Sequence, residues 1–346
     1  MRALTISAHG DLDRVTLSDV PMPAPPHGWV RVKLRTAALN HLDLWVVRGV
    51  PGVNITPHWI LGCDGAGVID AVGASVPARY LVREGDRVLI NPGVATGDDE
   101  YTRRGEEPLS PSFGVLGEHR PGTFAEYVCV PARNVRPTPR SVTDELAAAY
   151  TLSTLTAWRM CVTRAAVRAD DDVLIWGIGG GVALAALAIC KARGARVWAT
   201  SSSDDKLARA RSLGADETLN YRNVDVGREI RARTKKRGVT VVIDSVGVAT
   251  WQQSLVALGR GGRLVTCGGT SGPMVETDIR RMFWNQWTLM GSTMGNDAEF
   301  DAVTAELGAG RLTAIVDSVF PLEQGREALA RMQRGEQFGK IVLAIP

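Results

Sequence analysis

Two short stretches of the chain carry residue types that could do chemistry. The stretch Leu61–Val68, LGCDGAGV, places the thiol of Cys63 beside the carboxylate of Asp64. Thiolate sulfur and carboxylate oxygen both bind zinc, so this stretch is either half of a zinc site or the outline of one without its metal. The stretch Gly177–Ala183, GIGGGVA, could hold a phosphate group, because glycine lets the backbone approach an anion closely.

The glycine-rich stretch lies between an apolar strand pattern, Val173–Trp176, and a helical pattern. This strand–loop–helix context is what distinguishes a dinucleotide-binding loop from an ordinary tight turn. Alanine takes the third site of the spacing, where the helix packs on the strand. We predict that the loop binds the pyrophosphate of a dinucleotide, through Gly177, Gly179, Gly180, Gly181 and Val182.

The next predicted strand ends in Ser201 and Ser202. NAD-binding proteins usually carry an acidic residue at this position, which binds the ribose hydroxyls and would repel a 2′-phosphate. A serine there, with Lys206 one helical turn further on, favours NADPH over NADH. Asp204 and Asp205 count against this prediction unless they are helix N-terminal residues that face water.

Length and composition limit the classes of protein that the chain can belong to. Its 346 residues suggest two domains, and 45% apolar with 22% charged residues is typical of a globular protein. No apolar run approaches the roughly 18 to 20 residues of a membrane span, and the N-terminus does not resemble a signal peptide. Five scattered cysteines and a net charge of +3 favour neither a disulfide framework nor nucleic-acid binding. We expect a cytoplasmic protein with a small-molecule substrate.

The first 130 or so residues read as short strands broken by glycine and proline, whereas strand and helix patterns alternate afterwards. Fully apolar strand cores such as VLIW and VVI indicate a parallel sheet that helices cover on both faces. The predicted fold class is α/β, with a β-rich lobe and a doubly wound sheet. The predicted domains are residues 1–133 with 293–346, and residues 134–292.

Several motifs resemble the medium-chain dehydrogenase/reductase superfamily, and within it the quinone oxidoreductase-like branch that lacks zinc ligands. They are Gly65–Val68, the GDRV turn Gly85–Val88, the LTAW turn Leu155–Trp158, the GGGVA loop and Phe338–Leu343. The resemblance implies a GroES-like catalytic domain and a Rossmann nucleotide-binding domain. It also implies further cofactor contacts, at Asn40, Thr156, Lys206, Tyr221, Val246, Gly247, Cys267, Gly268, Gly269, Thr293, Met294, Gly339 and Lys340.

The zinc-dependent members of the superfamily hold a catalytic metal at three positions, which in this chain are Asn40, Cys63 and Leu152. Leu152 has no donor atom and Asn40 offers only a neutral amide oxygen, so tight zinc binding is not expected. Leu42 replaces the hydroxyl that relays the alcohol proton. A second, structural zinc lobe keeps its loop length without any thiol, at Thr96, Asp99, Thr102 and Ser110.

Four residues are candidates for catalysis. The Asn40 amide could donate a hydrogen bond to a substrate carbonyl, or only cap a turn or contact the nicotinamide. His41 could donate a proton, or pair with Asp43. Thr156 could contact the nicotinamide or substrate, or bond to its own helix backbone. Asp64 could transfer a proton if burial raised its pKa, although a carboxylate that orders the glycine turn is the alternative.

An aromatic pocket would suit a flat or apolar acceptor, and Trp45, Trp59 and Trp284 are candidates for it, with core packing as the alternative. The resemblance implies a homodimer, paired through the strand around Trp287–Ser292. The predicted function is zinc-independent hydride transfer from NADPH to a quinone or an α,β-unsaturated carbonyl compound. The alternatives are an alcohol dehydrogenase with an unusual metal site and a non-catalytic NADPH-binding sensor.

Overall fold

A computed structural model describes all residues, 1–346, and divides the chain into two compact units. The first unit comprises Met1–Leu152 and Gly295–Pro346, and the second comprises Ser153–Met294. The α/β fold class predicted from the sequence is confirmed. The first boundary lies at residue 152 rather than 133, and the second at 294 rather than 292. None of the helices is both long enough and apolar enough to span a membrane.

The shift of the first boundary follows from one helix, Asp144–Trp158, which begins as part of the first unit. Thr36 donates its hydroxyl to the carbonyl of Asp144 at 2.7 Å, and Arg87 pairs with the Asp144 carboxylate at 2.6 Å. These contacts hold the start of the helix on the first unit. The boundary therefore falls inside the helix.

Elements are numbered along the chain. The strands of the first unit are β1 (Arg2–Ile6), β2 (Thr16–Asp19), β3 (Trp29–Ala38), β4 (Trp59–Ile60), β5 (Asp64–Val72), β6 (Arg87–Ile90), β7 (Gly93–Val94), β8 (Gly114–Val115), β9 (Tyr127–Pro131), β10 (Val135–Pro137), β17 (Val316–Pro321) and β18 (Lys340–Ala344). Its helices are α1 (His41–Arg48), α2 (Glu100–Arg103), α3 (Asp144–Trp158), α9 (Asp297–Gly308) and α10 (Gly325–Gln333).

The largest sheet of the first unit has seven strands in the order β10-β6-β5-β3-β18-β17, and β9 also pairs with β3. Strand β3 is antiparallel to both β5 and β18. The end of β3 therefore lies beside the starts of β5 and β18. This register brings the segments around residues 38–40, 64 and 340 to one edge of the sheet.

Glycine in the stretch LGCDGAGV is required by close packing. A Cβ on Gly67 would lie 2.1 Å from the backbone oxygen of Lys33, and one on Gly65 would lie 2.8 Å from a methyl carbon of Leu34. Gly62 has φ +97° and lies against the ring of Phe124. The three glycines thus let β5 and the turn before it pack tightly against β3 and its neighbours.

The second unit alternates strands and helices as predicted. Its strands are β11 (Asp172–Ile175), β12 (Arg196–Ser201), β13 (Glu217–Asn220), β14 (Val239–Asp244), β15 (Leu258–Thr266) and β16 (Thr288–Gly291). Its helices are α4 (Gly181–Ala192), α5 (Asp204–Ser212), α6 (Val226–Arg233), α7 (Val248–Ala257) and α8 (Ile279–Asn285), and a π-helical turn spans Arg159–Arg164.

The six strands of the second unit form one parallel sheet in the order β13-β12-β11-β14-β15-β16. Every residue of the central strand β11 is buried, which explains its continuous apolar run, VLI, after Asp172. The order reverses between β11 and β14, and ligands of such sheets bind beyond the carboxyl ends of the strands at this point. Strand β16 is an edge strand.

Candidate active site

A buried polar cluster lies in the first unit around Asp64, whose side chain is fully buried. Its Oδ1 atom accepts hydrogen bonds from the Thr151 hydroxyl at 2.6 Å and from the backbone N–H of Leu152 at 2.7 Å. Its Oδ2 atom accepts from Nδ2 of Asn40 at 2.9 Å and from the Lys340 ammonium at 3.0 Å. Four donors, one of them the positively charged ammonium, therefore stabilise this carboxylate away from water.

The Asn40 amide has only one orientation that this cluster can satisfy. Its Oδ1 atom accepts from Nζ of Lys340 at 2.5 Å, and its Nδ2 atom donates to Asp64 and, at 3.3 Å, to the carbonyl of Ala38. An ammonium can only donate and a carboxylate can only accept, so the reversed amide would lose both bonds. The two N–H groups of Asn40 differ. The one that donates to the carbonyl of Ala38 makes the longer hydrogen bond, and it could instead be donated to a substrate carbonyl.

Asp43 forms a second buried carboxyl group beside this cluster. It accepts a hydrogen bond from the backbone N–H of Asn40 at 2.7 Å, and the Cys63 thiol points to it at 3.7 Å. Burial raises the pKa of Asp43 to about 7, against the lowering effect of the Asn40 N–H and of Lys340. Burial also raises the pKa of Cys63, with Asp43 and Asp64 adding to the effect. Cys63 is therefore a neutral thiol packed inside the unit.

His41 is the first residue of α1 and is half-buried. Burial lowers the pKa of its imidazole, and the positive charges of Lys340 and Arg48 lower it further. The carboxyl group of Asp43 accepts hydrogen bonds from the backbone N–H of Asn40 and from the Cys63 thiol, and no hydrogen bond joins it to His41. His41 is thus a neutral imidazole at neutral pH, with an N–H group that could be donated to a ligand.

The three positions that hold zinc in metal-bearing relatives do not offer a set of zinc ligands in this chain. Leu152 contributes only a backbone N–H, which bonds to Asp64. The oxygen of Asn40 accepts from an ammonium, so of these three side chains only the Cys63 sulfur is a strong zinc donor. No group of three or more histidine, cysteine, aspartate or glutamate side chains is arranged to hold a metal ion. The three positions thus supply one strong donor, whereas a catalytic zinc is usually held by three protein ligands.

The predicted remnant of the second zinc lobe is joined by hydrogen bonds. Asp99 accepts from the Ser110 hydroxyl at 2.6 Å and from the backbone N–H of Thr102 at 3.1 Å. The hydrogen bond from Ser110 is the main cause that lowers the pKa of Asp99. Thr96 instead accepts a hydrogen bond from Arg120 at 3.2 Å. Three of the four positions are therefore brought together by polar contacts.

The glycine-rich loop of the second unit has the conformation that a phosphate site requires. Gly177 and Gly179 have φ values of +69° and +129°, and α4 begins at Gly181 with no side chain that caps it. A Cβ on Gly180 would meet nothing closer than 3.8 Å, so the space beside the loop is open. The unpaired N–H groups of the first turn, including that of Val182, and the helix dipole favour an anion there. These residues fit the pyrophosphate of a dinucleotide.

The end of β12 carries the predicted ribose-binding segment. Ser201 is buried, and Ser202 and Lys206 are half-buried beside it. The carboxylate of Asp204 accepts a hydrogen bond from Nδ2 of Asn220 at 2.8 Å. The Asp204 carboxylate is therefore bonded to Asn220 on β13, and the residue at the end of β12 is Ser201.

The loops after β14 and β15 pack against each other. A Cβ on Gly247 would lie 2.4 Å from the carbonyl oxygen of Gly272 and 2.9 Å from Cα of Gly269. Buried Asp244 holds the first loop by accepting from the N–H groups of Val246 and Gly247 at 2.7 and 3.3 Å. The second loop contributes Cys267 and Gly268, where burial raises the pKa of the cysteine to about 12.

The remaining residues that were predicted to contact the cofactor lie in both units, and each is described within its own unit. Thr156 is buried and donates its hydroxyl to Sδ of Met294 at 3.7 Å, which brings these two together, and Thr293 is exposed beside them. The Tyr221 ring is partly exposed, with its centroid 6.5 Å from that of Trp176. Gly339 has φ +120°, and the next residue, Lys340, lies in the polar cluster of the first unit.

The three candidate pocket tryptophans have different surroundings. Trp45 lies on α1 and is half-buried, and the indole N–H of Trp59 donates to the carbonyl of Gly117 at 2.8 Å. Trp284 lies on α8 of the second unit and is 69% exposed. Trp59 thus has a structural bond of its own, whereas Trp284 is free to contact a ligand or another protein.

Two residues of the polar cluster, Thr151 and Thr123, were not singled out by the sequence, and neither was the ion pair between Lys340 and Asp64. Thr123 donates its hydroxyl to the backbone oxygen of Asp64 at 2.7 Å. Asp43 follows Asn40 by three residues, which is the spacing of a helix N-terminal capping pair and could have indicated their contact. The others carry no local signal.

Comparison with known proteins places these two units in one family. Residues 26–140 match the alcohol dehydrogenase GroES-like domain, and residues 181–309 match the zinc-binding dehydrogenase family. A crystal structure of an NAD-dependent alcohol dehydrogenase is 40% identical, with a TM-score of 0.94 and full coverage of both chains. The chain belongs to the medium-chain dehydrogenase/reductase superfamily.

Two curated relatives of the superfamily carry names that denote different acceptors. Crotonyl-CoA carboxylase/reductase from Cereibacter sphaeroides is 29% identical, over 96% of this chain and 84% of its own length. Quinone oxidoreductase from Homo sapiens is 26% identical, over 100% of this chain and 98% of its own length. The chain is thus similar to oxidoreductases of more than one kind, and this supports an oxidoreductase of the same superfamily.

Proposed function

We propose that this protein is a zinc-independent reductase that transfers hydride from NADPH to a quinone or an α,β-unsaturated carbonyl compound. The observation that carries the proposal is the Lys340 ammonium, which lies 3.0 Å from Asp64 and 2.5 Å from Asn40. A cation already occupies this cluster, and Leu152 offers no ligand. Alcohol oxidation through a metal-bound oxygen would therefore lack its Lewis acid.

Conjugated acceptors require fewer catalytic groups from the protein than alcohols do. They accept hydride readily once they are held against the nicotinamide and their carbonyl oxygen receives a hydrogen bond. The weakly held N–H of Asn40 could supply that bond, and the neutral imidazole of His41 is the second candidate. The names of the crotonyl-CoA and quinone relatives support acceptors of this class.

NADPH is the proposed hydride donor. In support, Ser201 rather than an acidic residue ends β12, and Asp204 is bonded to Asn220. When bound, the nicotinamide cofactor supplies the hydride. The glycine loop of the second unit would hold its pyrophosphate, and Lys206 would approach its 2′-phosphate.

The rival function is alcohol oxidation with NAD, and the 40% identical alcohol dehydrogenase structure favours it. One experiment separates the two functions. Purified protein is supplied with NADPH or NADH and a panel of quinones and enones, and separately with NAD or NADP and a panel of alcohols, while its metal content is measured. NADPH oxidation by metal-free protein supports the proposal. One tightly bound zinc per chain with alcohol oxidation contradicts it, and binding without turnover indicates a sensor.

We further propose a homodimer that pairs through the edge strand β16. Four apolar side chains of the segment 274–284, which precedes β16 in the chain, are between 63 and 83% exposed: Met274, Ile279, Phe283 and Trp284. An exposed apolar patch beside an unpaired edge strand is typical of an interface. Sedimentation of wild type and F283E tests it, because a charge in the patch should yield monomers. A monomeric wild-type protein would contradict the dimer.

A cytoplasmic location is proposed as well, because all five cysteines are unpaired and a reducing compartment keeps thiols in this state. Cell fractionation tests this location. Recovery in an oxidising compartment, or with disulfide bonds, would contradict it.

A further inference from the structure

The Lys340 side chain is 4% exposed and the Asp64 side chain is fully buried, so their ion pair lies inside the first unit. A lysine ammonium is strongly hydrated in water, and its burial requires acceptors for its hydrogens. Two acceptors are provided, Oδ2 of Asp64 at 3.0 Å and Oδ1 of Asn40 at 2.5 Å. The ammonium thus bridges a carboxylate and an amide.

The carboxylate is itself held against rotation. Thr151 and the backbone of Leu152 donate to Oδ1 of Asp64, so Oδ2 must face Asn40 and Lys340. Asp64 and Lys340 are the first residues of β5 and β18, which flank β3, and Asn40 follows the end of β3. Three adjacent strands therefore fix the positions of the three groups.

The consequence concerns the direction of the Asn40 amide. Lys340 fixes the carbonyl side of the amide, and Asp64 fixes one of its N–H groups. The other N–H then points to the carbonyl of Ala38, at the longer distance of 3.3 Å. If either charged partner were absent, the amide could turn over and present its oxygen where the N–H now lies.

We propose that Lys340 is a positioning residue: with Asp64 it orients the Asn40 amide, which stands at one of the three positions that hold zinc in the zinc-dependent members of the superfamily. This inference rests on the proposed reduction of conjugated acceptors, in which Asn40 donates to the acceptor carbonyl. The contact with the cofactor that the resemblance implies for Lys340 is the alternative role of this residue.

A kinetic cycle tests whether Lys340 acts through Asn40. K340M, N40A and N40A/K340M are assayed with a quinone or enone at saturating NADPH, and K33M serves as control because Lys33 is exposed on β3. We expect K340M to lower kcat by on the order of 100-fold, as a misplaced catalytic group does, with little change in KM. N40A/K340M should be no slower than N40A, and K33M should match wild type.

Two results would overturn the proposal. The first is a double variant whose loss of kcat is the product of the two single losses, because Lys340 would then act independently of Asn40. The second is a raised Kd for NADPH in K340M, unchanged when Asn40 is also replaced, which would make Lys340 a cofactor ligand.

A spectroscopic measurement tests the orientation without turnover. In protein labelled with [15N]asparagine, the Asn40 side-chain amide is assigned by its loss in N40A. We expect slow exchange of its protons with solvent in wild type and fast exchange in K340M. If K340M does not fold, wild type is compared with K340M/D64N, in which no buried charge is left unpaired. If the Asn40 amide protons exchanged with solvent at the same rate in the two proteins compared, the proposal would be overturned.

Failure of the proposed function and failure of the positioning proposal give different results. Wild-type protein that reduces no acceptor would contradict the proposed function, while the amide exchange would still report whether Lys340 orients Asn40. Active protein with an amide that is indifferent to Lys340 would contradict only the positioning.

Discussion

The hydroxyl of Thr151 on α3 donates to Oδ1 of Asp64 at 2.6 Å, although 87 residues separate them in the chain. Hydrogen bonds to a charged group are stronger than those between neutral groups. T151V keeps the shape of the side chain and removes the donor. We expect it to lower the free energy of unfolding by about 1.5–3 kcal/mol, measured by urea denaturation.

The control for this substitution is T138V. Thr138 is also buried in the first unit, but its hydroxyl has no hydrogen-bond partner. Replacement of an unpaired buried hydroxyl by a methyl group should leave stability unchanged or raise it. If T151V and T138V had equal effects, the bond to Asp64 would not contribute to stability.

Gly67 is the position of the LGCDGAGV stretch where a side chain is least tolerable. A Cβ there would lie 2.1 Å from the backbone oxygen of Lys33 and 2.8 Å from Cα of Leu34. Backbone atoms cannot rotate away, so we expect G67A to cost about 3 kcal/mol or more. The thermal unfolding midpoint of the variant checks this expectation.

Gly308, in the last turn of α9, is the matched control for G67A. A Cβ there would meet only a carbon of Pro139 at 3.6 Å, an ordinary contact. G308A should therefore be neutral or stabilise the protein by up to about 1 kcal/mol, because alanine favours a helix over glycine. A G67A protein as stable as G308A would show that β3 and β5 can separate easily.

The elements of the second unit could be predicted because each carries a local signal. The apolar run of β11, the glycines that follow it and the helical pattern of α4 lie together in the sequence. The first domain boundary could not be predicted, because α3 continues through it without a break in its pattern. A helix that belongs to both units has no composition change at the boundary.

The polar cluster is the part of the site that sequence patterns predict least. Asn40, Asp64 and Lys340 were each singled out, but for separate reasons. Their contact depends on β3 lying between β5 and β18, a strand order that no residue pattern records. The burial that converts an ordinary lysine into an internal ion pair is likewise a property of the folded sheet.

The proposed preference for NADPH is expected to depend on the residue at the end of β12. S201D would place a carboxylate where a 2′-phosphate is expected, and two negative groups about 5 Å apart repel by a few kcal/mol near a protein surface. We expect kcat/KM with NADPH to fall by on the order of 100-fold, while the value with NADH is kept or rises. Steady-state kinetics with both cofactors measures this.

S202D, one residue further along, is the comparison variant for S201D, because it adds the same charge beside the strand end. A smaller loss with NADPH is expected there. Equal losses for both variants, or a wild type that prefers NADH, would contradict the assignment of the 2′-phosphate to Ser201.

The stability of the first unit should depend on pH through Asp43. Its pKa is raised from 3.8 to about 7 by burial, so the folded protein keeps a proton that the unfolded chain loses at lower pH. The stabilising contribution is therefore fully present below pH 3.8 and is lost as the pH rises towards 7. The loss over this range amounts to up to about 4 kcal/mol, at about 1.4 kcal/mol for each pKa unit.

D43N removes the titration, because the amide resembles the protonated acid and can still accept the Asn40 N–H. Relative to wild type, D43N should therefore gain stability steadily between pH 4 and 7 and remain constant above that range. Urea denaturation at several pH values measures the difference, with D19N on the exposed end of β2 as a control that should show no such gain. A difference between D43N and wild type that is independent of pH would show that the pKa of Asp43 is the same in the folded and the unfolded protein, and would contradict the prediction.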